Sequence, residues 1–131
     1  MQELVRYNFS LFTEYDIHLF REGKHSKLWE KFGAHIIDDE KNAGVYFALW
    51  APNATKVHVA GTFNNWDKSS HPLKVRGDGS GIWEGVLLNV LAGDLYKYFI
   101  TTKSAVILEK ADPFAFRTEA PPDTASVVWD N

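Results

Sequence analysis

Apolar residues follow a helical spacing at the start of the chain and an alternating spacing after Gly33. In the first segment, an apolar stripe over residues 15–20 extends across two helical turns. Thr13 followed by Asp16 has the spacing of a capping box, with Asp in place of Glu or Gln. Gly23 suits the left-handed position that ends a helix. The pattern predicts a first short helix between Thr13 and Gly23.

A second short helix is predicted from Ser26, which can act as its N-cap, to Phe32, with Gly33 as the stop. Helices of this length are marginal in water by themselves, so their apolar stripes must pack on another surface. We therefore expect residues 1–33 to form a helical lead-in that docks on the body of the chain, residues 34–131.

The body of the chain consists of short alternating segments separated by turn residues, including turns at 39–44 and 77–81. About seven strands are predicted, at residues 34–38, 45–50, 56–60, 82–88, 95–102, 106–108 and 126–129. Turns at intervals of about 8–12 residues are typical of a β-sandwich. The expected fold is mainly β: a β-sandwich of about seven strands preceded by two short helices.

Composition and charge exclude several classes of function. Cysteine is absent, which excludes a disulfide scaffold, a thiolate zinc site and a cysteine nucleophile. The 14 basic and 17 acidic residues give a net charge of −3, without the basic excess of a nucleic-acid-binding domain. No apolar run approaches the roughly 18 residues that span a bilayer, and residues 1–12 lack a signal-peptide pattern. We expect a cytoplasmic chain that binds neither nucleic acid nor a membrane.

The motifs of the chain predict no catalytic residue, cofactor or metal site. His18 and His25 lie two helical turns, about 10 Å, apart, which is too far for one metal ion. The segment 61–69 ends in Lys-Ser but lacks the glycine that precedes the lysine of a phosphate-binding loop. There is no Gly-x-Ser-x-Gly nucleophile motif, and spacing singles out no pair of carboxylates.

Aromatic residues are unusually frequent, with five Trp, five Tyr and nine Phe, and Trp66 is the most informative of them. It follows Asn64 and Asn65, which favour a turn, and it precedes Asp67 and Lys68. A partly exposed indole offers a flat apolar face to the C–H face of a glucose ring, while nearby amides and ammonium groups can bond the hydroxyls. The alternative is that Trp66 lies at the edge of the core and binds nothing.

The alternation of residues 95–102 predicts which side chains of this strand face the core. Tyr96, Tyr98 and Ile100 form one face, and Lys97 and Phe99 lie on the other. Burying the first face leaves Lys97 outside, because an unpaired buried lysine is costly. We then expect Phe99 to be exposed, so that a ligand or a neighbouring domain must cover it. The alternative interpretation of Lys97 is a solubilising surface charge.

Several motifs, in the same order along the chain, resemble a known family. The segments 61–66, 96–99, 110–115 and 121–126 are similar to the glycogen-binding sandwich of carbohydrate-binding module family 48. The segments 15–23, 28–35, 47–54 and 77–84 resemble the lead-in and sandwich at the amino terminus of bacterial 1,4-α-glucan branching enzymes. The resemblance covers nearly the whole chain.

The resemblance implies an immunoglobulin-like, early-set sandwich that precedes a (β/α)₈ barrel. In that family the catalytic aspartate and glutamate lie in the barrel, which would begin beyond Asn131. It therefore implies a non-catalytic module that weakly binds glycogen or α-1,4-glucan oligosaccharides and positions the barrel in glycogen biosynthesis. The alternative is a purely structural domain that packs on the barrel without binding sugar.

The resemblance also assigns roles to individual residues. The tryptophan and lysine that contact glucan fall on Trp66 and Lys97, and weaker assignments fall on Asn64, Asn65 and Ser126. We expect Phe99 and Trp129 to lie at the interface with the barrel. Two positions depart from the family pattern: residues 101–105 contain no second tryptophan, and Val128 stands where the family has an asparagine.

Overall fold

The structure, a computed structural model, describes residues 3–38, 43–120 and 123–129. Its helical elements are α1 (Glu14–Arg21) and two 3₁₀ helices, Leu28–Glu30 and Thr62–Asn64. Its strands are β1 (Val5–Arg6), β2 (Gly33–Ile37), β3 (Gly44–Trp50), β4 (Ala54–Gly61), β5 (Pro72–Val75), β6 (Ile82–Leu87), β7 (Leu95–Thr102), β8 (Ile107–Lys110), β9 (Arg117–Thr118) and β10 (Ser126–Val127). Residues 39–42 of the predicted turn and prolines 121 and 122 lie outside the described residues.

The strands pair antiparallel in two groups that β5 joins into one curled sheet. The first group has the order β2-β3-β6, and the second has the order β4-β7-β10-β9. Strand β1 pairs with residues 86–87 of β6, on the edge opposite β3. Strand β8 pairs with the end of β7 beyond β10, and β5 pairs with both β4 and β6. The mainly β prediction is confirmed.

Three strands of the described chain were missed by the sequence analysis: β1, β5 and β9. Two of them have only two residues, which is too short for an alternating pattern to be visible. The third, β5, begins at Pro72, a residue that is tolerated at the start of a strand because it has no N–H to donate to the ladder. The 95–102 strand, in contrast, has the predicted bounds.

Strand β3 is buried on both faces. Phe47 points between the two strand groups, where its ring meets Tyr96 edge-on with a centroid distance of 5.0 Å. Tyr46 and its neighbour Ala48 point the other way and are covered by Phe12, Ile17 and Phe32 of the lead-in. The lead-in therefore supplies a second apolar layer, while the division of the chain at residue 33 stays a prediction.

The first predicted helix is confirmed together with both of its ends. The Thr13 side chain accepts a hydrogen bond from the Asp16 N–H at 3.1 Å, and Asp16 Oδ2 accepts one from the Thr13 N–H at 2.9 Å. Gly23 has the predicted left-handed backbone, at φ +68°.

Within the described residues, no helix has the length and hydropathy needed to cross a bilayer.

The second predicted helix is wrong in its length and its cap. Only the 3₁₀ turn Leu28–Glu30 forms, and its N-cap is Lys27 rather than Ser26, without a side-chain hydrogen bond. Phe32 directly after it is 1% exposed, and Gly33 begins β2 at φ +94°. Phe32 must enter the core only two residues after the turn ends at Glu30, so the chain between Ser26 and Phe32 has room for a single helical turn.

Asp16 also anchors the segment that follows α1. Its Oδ1 accepts from His25 Nε2 at 2.9 Å, and its Oδ2 lies 3.3 Å from Lys31 Nζ. Burial alone raises the pKa of this carboxyl, but the hydrogen bonds from Thr13, His25 and Lys31 outweigh it and hold the pKa well below its usual value. The ionised form is therefore the one that the folded state prefers.

Replacing Asp16 by Asn is expected to lower the free energy of unfolding by about 1–2 kcal/mol at pH 7, because the cap and its ionic partners are weakened. Because the folded pKa is depressed, the contribution of Asp16 is present above the unfolded value of 3.8 and is lost as the pH falls below it. Urea unfolding of both chains at pH 7 and pH 3 measures this. If the difference in unfolding free energy between the two chains stays constant or grows from pH 7 to pH 3, the lowered pKa of Asp16 is contradicted.

Candidate functional site

The loop after β4 holds Trp66 in an unusual backbone conformation. Asn65 and Trp66 both have positive φ angles, 54° and 59°. Asn visits this left-handed region readily, whereas a bulky residue there is strained by about 1–3 kcal/mol. The Trp66 N–H donates to the Gly61 carbonyl at 2.9 Å, which closes the loop on the end of β4. As a result the indole stands away from the sheet and is 37% exposed.

Asn64 holds this loop from inside. Its Oδ1 accepts from the Gly61 N–H at 2.9 Å, and its Nδ2 lies 3.1 Å from the Asp67 carbonyl, from Ser70 Oγ and from His71 Nδ1. The imidazole of His71 is itself buried, and its Nε2 lies 3.0 Å from Asn89 Oδ1. Internal partners engage both ends of the half-buried Asn64 amide, and its direct glucan contact stays a prediction. Asn65 is exposed beside it.

The exposure predicted for Phe99 is wrong. This side chain is 4% exposed, although it lies on the outer face of β7. It is flanked by His58 of β4 and Glu109 of β8 in the neighbouring strands, and Lys68 Nζ of the Trp66 loop lies 5.0 Å from its ring centroid. The cation–π contact covers the ring from within the chain. The need for a second domain over Phe99 therefore disappears.

Lys97 lies two residues before Phe99 on the same face of β7. Its side chain is 18% exposed, and its Nζ lies 3.5 Å from Glu109 Oε1. The ammonium group is thus directed across the sheet toward β8. It remains accessible to a small ligand, which would share it with the carboxylate.

Ser126 is sealed inside the sandwich. It has 0% exposure, and its Oγ accepts a hydrogen bond from the Asp112 N–H at 3.0 Å. This hydroxyl therefore offers no exposed surface to a ligand, and its glucan contact stays a prediction that the burial disfavours. Asp112 is buried beside it, and its Oδ2 accepts hydrogen bonds from the phenol groups of Tyr96 and Tyr98 at 2.6 and 3.2 Å.

Of the two aromatic residues predicted to lie at a domain interface, Trp129 is the one at the surface. It is 36% exposed, and the guanidinium of Arg117 lies 3.9 Å from its ring centroid. Its role at an interface stays a prediction.

In the described part of the chain, no three His, Asp or Glu side chains lie close enough to hold a metal ion.

The contacts of Lys68 with Phe99 and of Glu109 with Lys97 were not identified from the sequence. Lys68 was read only as a polar neighbour of Trp66, and nothing in the spacing shows that it reaches Phe99, 31 positions away. Glu109 could have been found from the hairpin, since β7 and β8 are joined by a short turn and place Glu109 opposite Phe99.

The fold, a β-sandwich with an exposed indole on the loop after β4, is that of the carbohydrate-binding class, and comparison with known families agrees. The model of carbohydrate-binding module 48, the isoamylase N-terminal domain, matches residues 31–115, well over half of the chain. The chain belongs to this family. The predicted immunoglobulin-like sandwich and the predicted family are both confirmed.

The chain is similar to the 1,4-alpha-glucan branching enzyme GlgB of Aquifex aeolicus, with 50% identity over 121 residues, 92% of this chain and 19% of that protein. It is 51% identical over 120 residues to GlgB of Aromatoleum aromaticum, covering 92% of the chain and 18% of that protein. The crystal structure of a maltotriose complex of PulA from Klebsiella pneumoniae matches with a TM-score of 0.60 and 28% identity, over 76% of this chain and 11% of that one. The chain thus spans less than a fifth of these curated relatives.

Proposed function

We propose that this chain is the amino-terminal module of a bacterial 1,4-α-glucan branching enzyme and that it binds α-1,4-glucan weakly through the surface around Trp66. The relatives at about 50% identity carry the name of that enzyme, and a structural relative was solved with maltotriose. The branching reaction, which cuts an α-1,4 linkage and rejoins the fragment as an α-1,6 branch, is assigned to the part of such enzymes outside this chain. The expected setting is glycogen biosynthesis in the cytoplasm.

The exposed indole of Trp66 is the observation that carries this proposal. Two successive left-handed residues hold it in solvent at a cost in backbone strain, and Asn64 fixes the loop beneath it. Strain of this kind persists where the surrounding structure enforces it, and it is common at ligand-binding sites. The indole offers its face to the C–H groups of a glucose ring, and Lys97 offers a hydrogen-bond donor to the hydroxyls.

The expected affinity of this surface is low. Covering about 100 Å² of indole and sugar contributes about 2.5 kcal/mol at 25 cal/mol per Å². Two or three hydrogen bonds add about 1 kcal/mol each, and association entropy removes several kcal/mol. The gain of about 4.5–5.5 kcal/mol would by itself give a Kd of about 0.1–0.5 mM, so after the entropic loss we expect a Kd of about 1 mM at best. Binding of this strength becomes useful when the module is tethered to an enzyme on a polymer with many chain ends.

Titration of the chain with maltoheptaose, followed by ¹H–¹⁵N spectra, tests the proposal. We expect the indole N–H of Trp66 and the backbone amides of residues 64–68 and 97 to shift at millimolar ligand. Trp129 gives the internal comparison, because it is equally exposed but lies near Arg117 on another strand. If none of these resonances shifts, the Trp66 surface does not bind glucan; if no other resonance of the chain shifts either, the alternative holds, a structural domain that uses Trp129 to pack on the barrel.

Lys97→Ala is expected to weaken glucan binding about fivefold, because it removes one hydrogen-bond donor to the sugar, worth about 1 kcal/mol. Isothermal titration or the same spectra give the ratio of dissociation constants. Lys24→Ala is the matched control, since Lys24 is an exposed lysine beside Gly23 in the lead-in. Equal affinities for the two variants would remove Lys97 from the site.

A further inference from the structure

A second groove lies at the opposite end of β4 from the Trp66 loop. It has a volume of about 400 Å³ and runs between the β3–β4 connection and the β7–β8 hairpin. Six residues form its wall and rim: Trp50, Pro52, Asn53, Thr102, Lys103 and Ser104. Ile100 and Leu108 form an apolar floor. Neither the family resemblance nor the site described above assigns a role to this groove.

The indole of Trp50 is held in place at the wall of the groove. Its Nε1 donates to the Ser80 carbonyl at 3.1 Å, and Phe20 of α1 meets it edge-on at 5.9 Å and 77°. Gly81, at φ +79°, leaves the room that this contact needs, since a Cβ there would lie 3.2 Å from the indole nitrogen. Even so, 54% of Trp50 is exposed. The ring is therefore fixed before any ligand arrives.

The rim of the groove carries groups that bond hydroxyls. Thr102 and Ser104 have side-chain hydroxyls, Asn53 has an amide, and Lys103 has an ammonium group. An aromatic wall, an apolar floor and a rim of donors and acceptors together suit a ligand with one apolar face and many hydroxyls. A hexose chain has this chemistry. A purely apolar partner would leave the polar rim without hydrogen bonds.

The two aromatic surfaces are too far apart for one short ligand. Trp50 lies four residues before the first residue of β4, and Trp66 lies five residues after the last. The eight residues of β4 alone span about 25 Å at 3.3 Å per residue. An oligosaccharide of a few glucose units can occupy one surface, whereas a long or branched polymer can reach both.

We propose that the groove at Trp50 is a second α-glucan-binding site, and that one polymer engages it together with the Trp66 surface. This inference rests on the proposed function, because it takes the same ligand class. Each site binds short chains weakly, and two sites on one polymer raise the overall affinity without new contacts. The second site therefore sharpens the preference of the module for polymer over short oligosaccharide.

The test uses the 131-residue chain with maltoheptaose and with glycogen. In the ¹H–¹⁵N spectrum we expect maltoheptaose to shift the indole N–H of Trp50 and the amides of residues 53 and 102–104, separately from those around Trp66. Trp50→Ala is expected to lose the shifts at 102–104, to keep those around Trp66, and to lower retention on glycogen at least tenfold. Trp29→Ala is the matched control, because Trp29 is 52% exposed but lies in the lead-in.

Trp50→Ala also removes the packing of Phe20 on the indole, so a second variant is needed that blocks the groove and keeps Trp50. Ser104→Arg places a long side chain at the exposed tip of the β7–β8 hairpin and leaves Trp50 intact. We expect the same loss of glycogen retention from it, with an unchanged unfolding midpoint. Absence of shifts at residues 53 and 102–104, or retention within twofold of the parent in Ser104→Arg, overturns the second site. Shifts at the Trp50 groove alone would keep a glucan site there but would reject the Trp66 surface, and with it the engagement of both sites by one polymer.

Discussion

Trp66→Ala is expected to weaken α-glucan binding at the Trp66 surface about 50-fold, so that the amides of residues 64–68 no longer shift with an oligosaccharide that binds at about 1 mM. The substitution removes the face that covers about 100 Å² of sugar, and 2.5 kcal/mol corresponds to nearly two orders of magnitude in Kd. The indole makes no contribution to the buried clusters of the described residues. The fold should therefore survive, which circular dichroism and the unfolding midpoint will show.

Trp66→Gly separates the role of the ring from that of the backbone. Glycine adopts a φ of +59° without strain, so this variant should unfold with a free energy about 1 kcal/mol higher than that of Trp66→Ala. Both variants should lose binding at the Trp66 surface equally, because both lack the ring. Affinity of either variant within twofold of the parent chain would show that glucan does not use this surface.

Asp112→Ala is expected to lower the free energy of unfolding by about 4 kcal/mol, the largest stability change among the substitutions considered. The carboxylate is 5% exposed and accepts from the phenols of Tyr96 and Tyr98 and from the Phe114 N–H. Its removal leaves two buried hydroxyls and one N–H without their acceptor, and each costs about 1–3 kcal/mol. Urea unfolding monitored by fluorescence measures the loss.

Asp112→Asn isolates the effect of the charge, and its pH dependence has a defined sign. Burial raises the pKa of Asp112 above its ordinary value of 3.8, although hydrogen bonds from Tyr96, Phe114 and Tyr98 oppose the shift. The folded state therefore holds the proton more tightly than the unfolded state. Relative to Asp112→Asn, the parent chain should gain stability as the pH falls from 7 to 4, opposite to the behaviour expected for Asp16. A loss over this interval would contradict the raised pKa.

The sequence was sufficient where a structural element depends on neighbouring residues. The helix α1 follows from the Thr13–Asp16 capping box and from the left-handed glycine after it, and both signals lie within ten residues. The bounds of β7 follow from its alternation, because one face of a strand in a sandwich must be apolar. The motifs that indicate the family are local in the same sense.

The sequence was insufficient where a side chain is buried or bonded by a distant segment. Phe99 has the alternation of an exposed residue, yet Lys68 covers it from a loop 31 positions earlier. Ser126 has the polarity of a surface residue, yet it accepts from Asp112, 14 positions earlier. The second predicted helix failed for a related reason, since the depth at which Phe32 is buried limits the preceding segment to one turn.

The amino-acid sequence by itself determined the mainly β architecture, the capped helix and the family, because hydrophobic periodicity, caps, turns and motifs are short-range properties of the chain. The tertiary structure decided which polar groups remain available to a ligand. It buried Ser126 and Phe99, gave the Asn64 amide partners within the chain, and formed the groove at Trp50. Availability depends on which segments the folded chain brings together, and hydrogen-bond partners and packing across tens of residues leave no local pattern in the sequence.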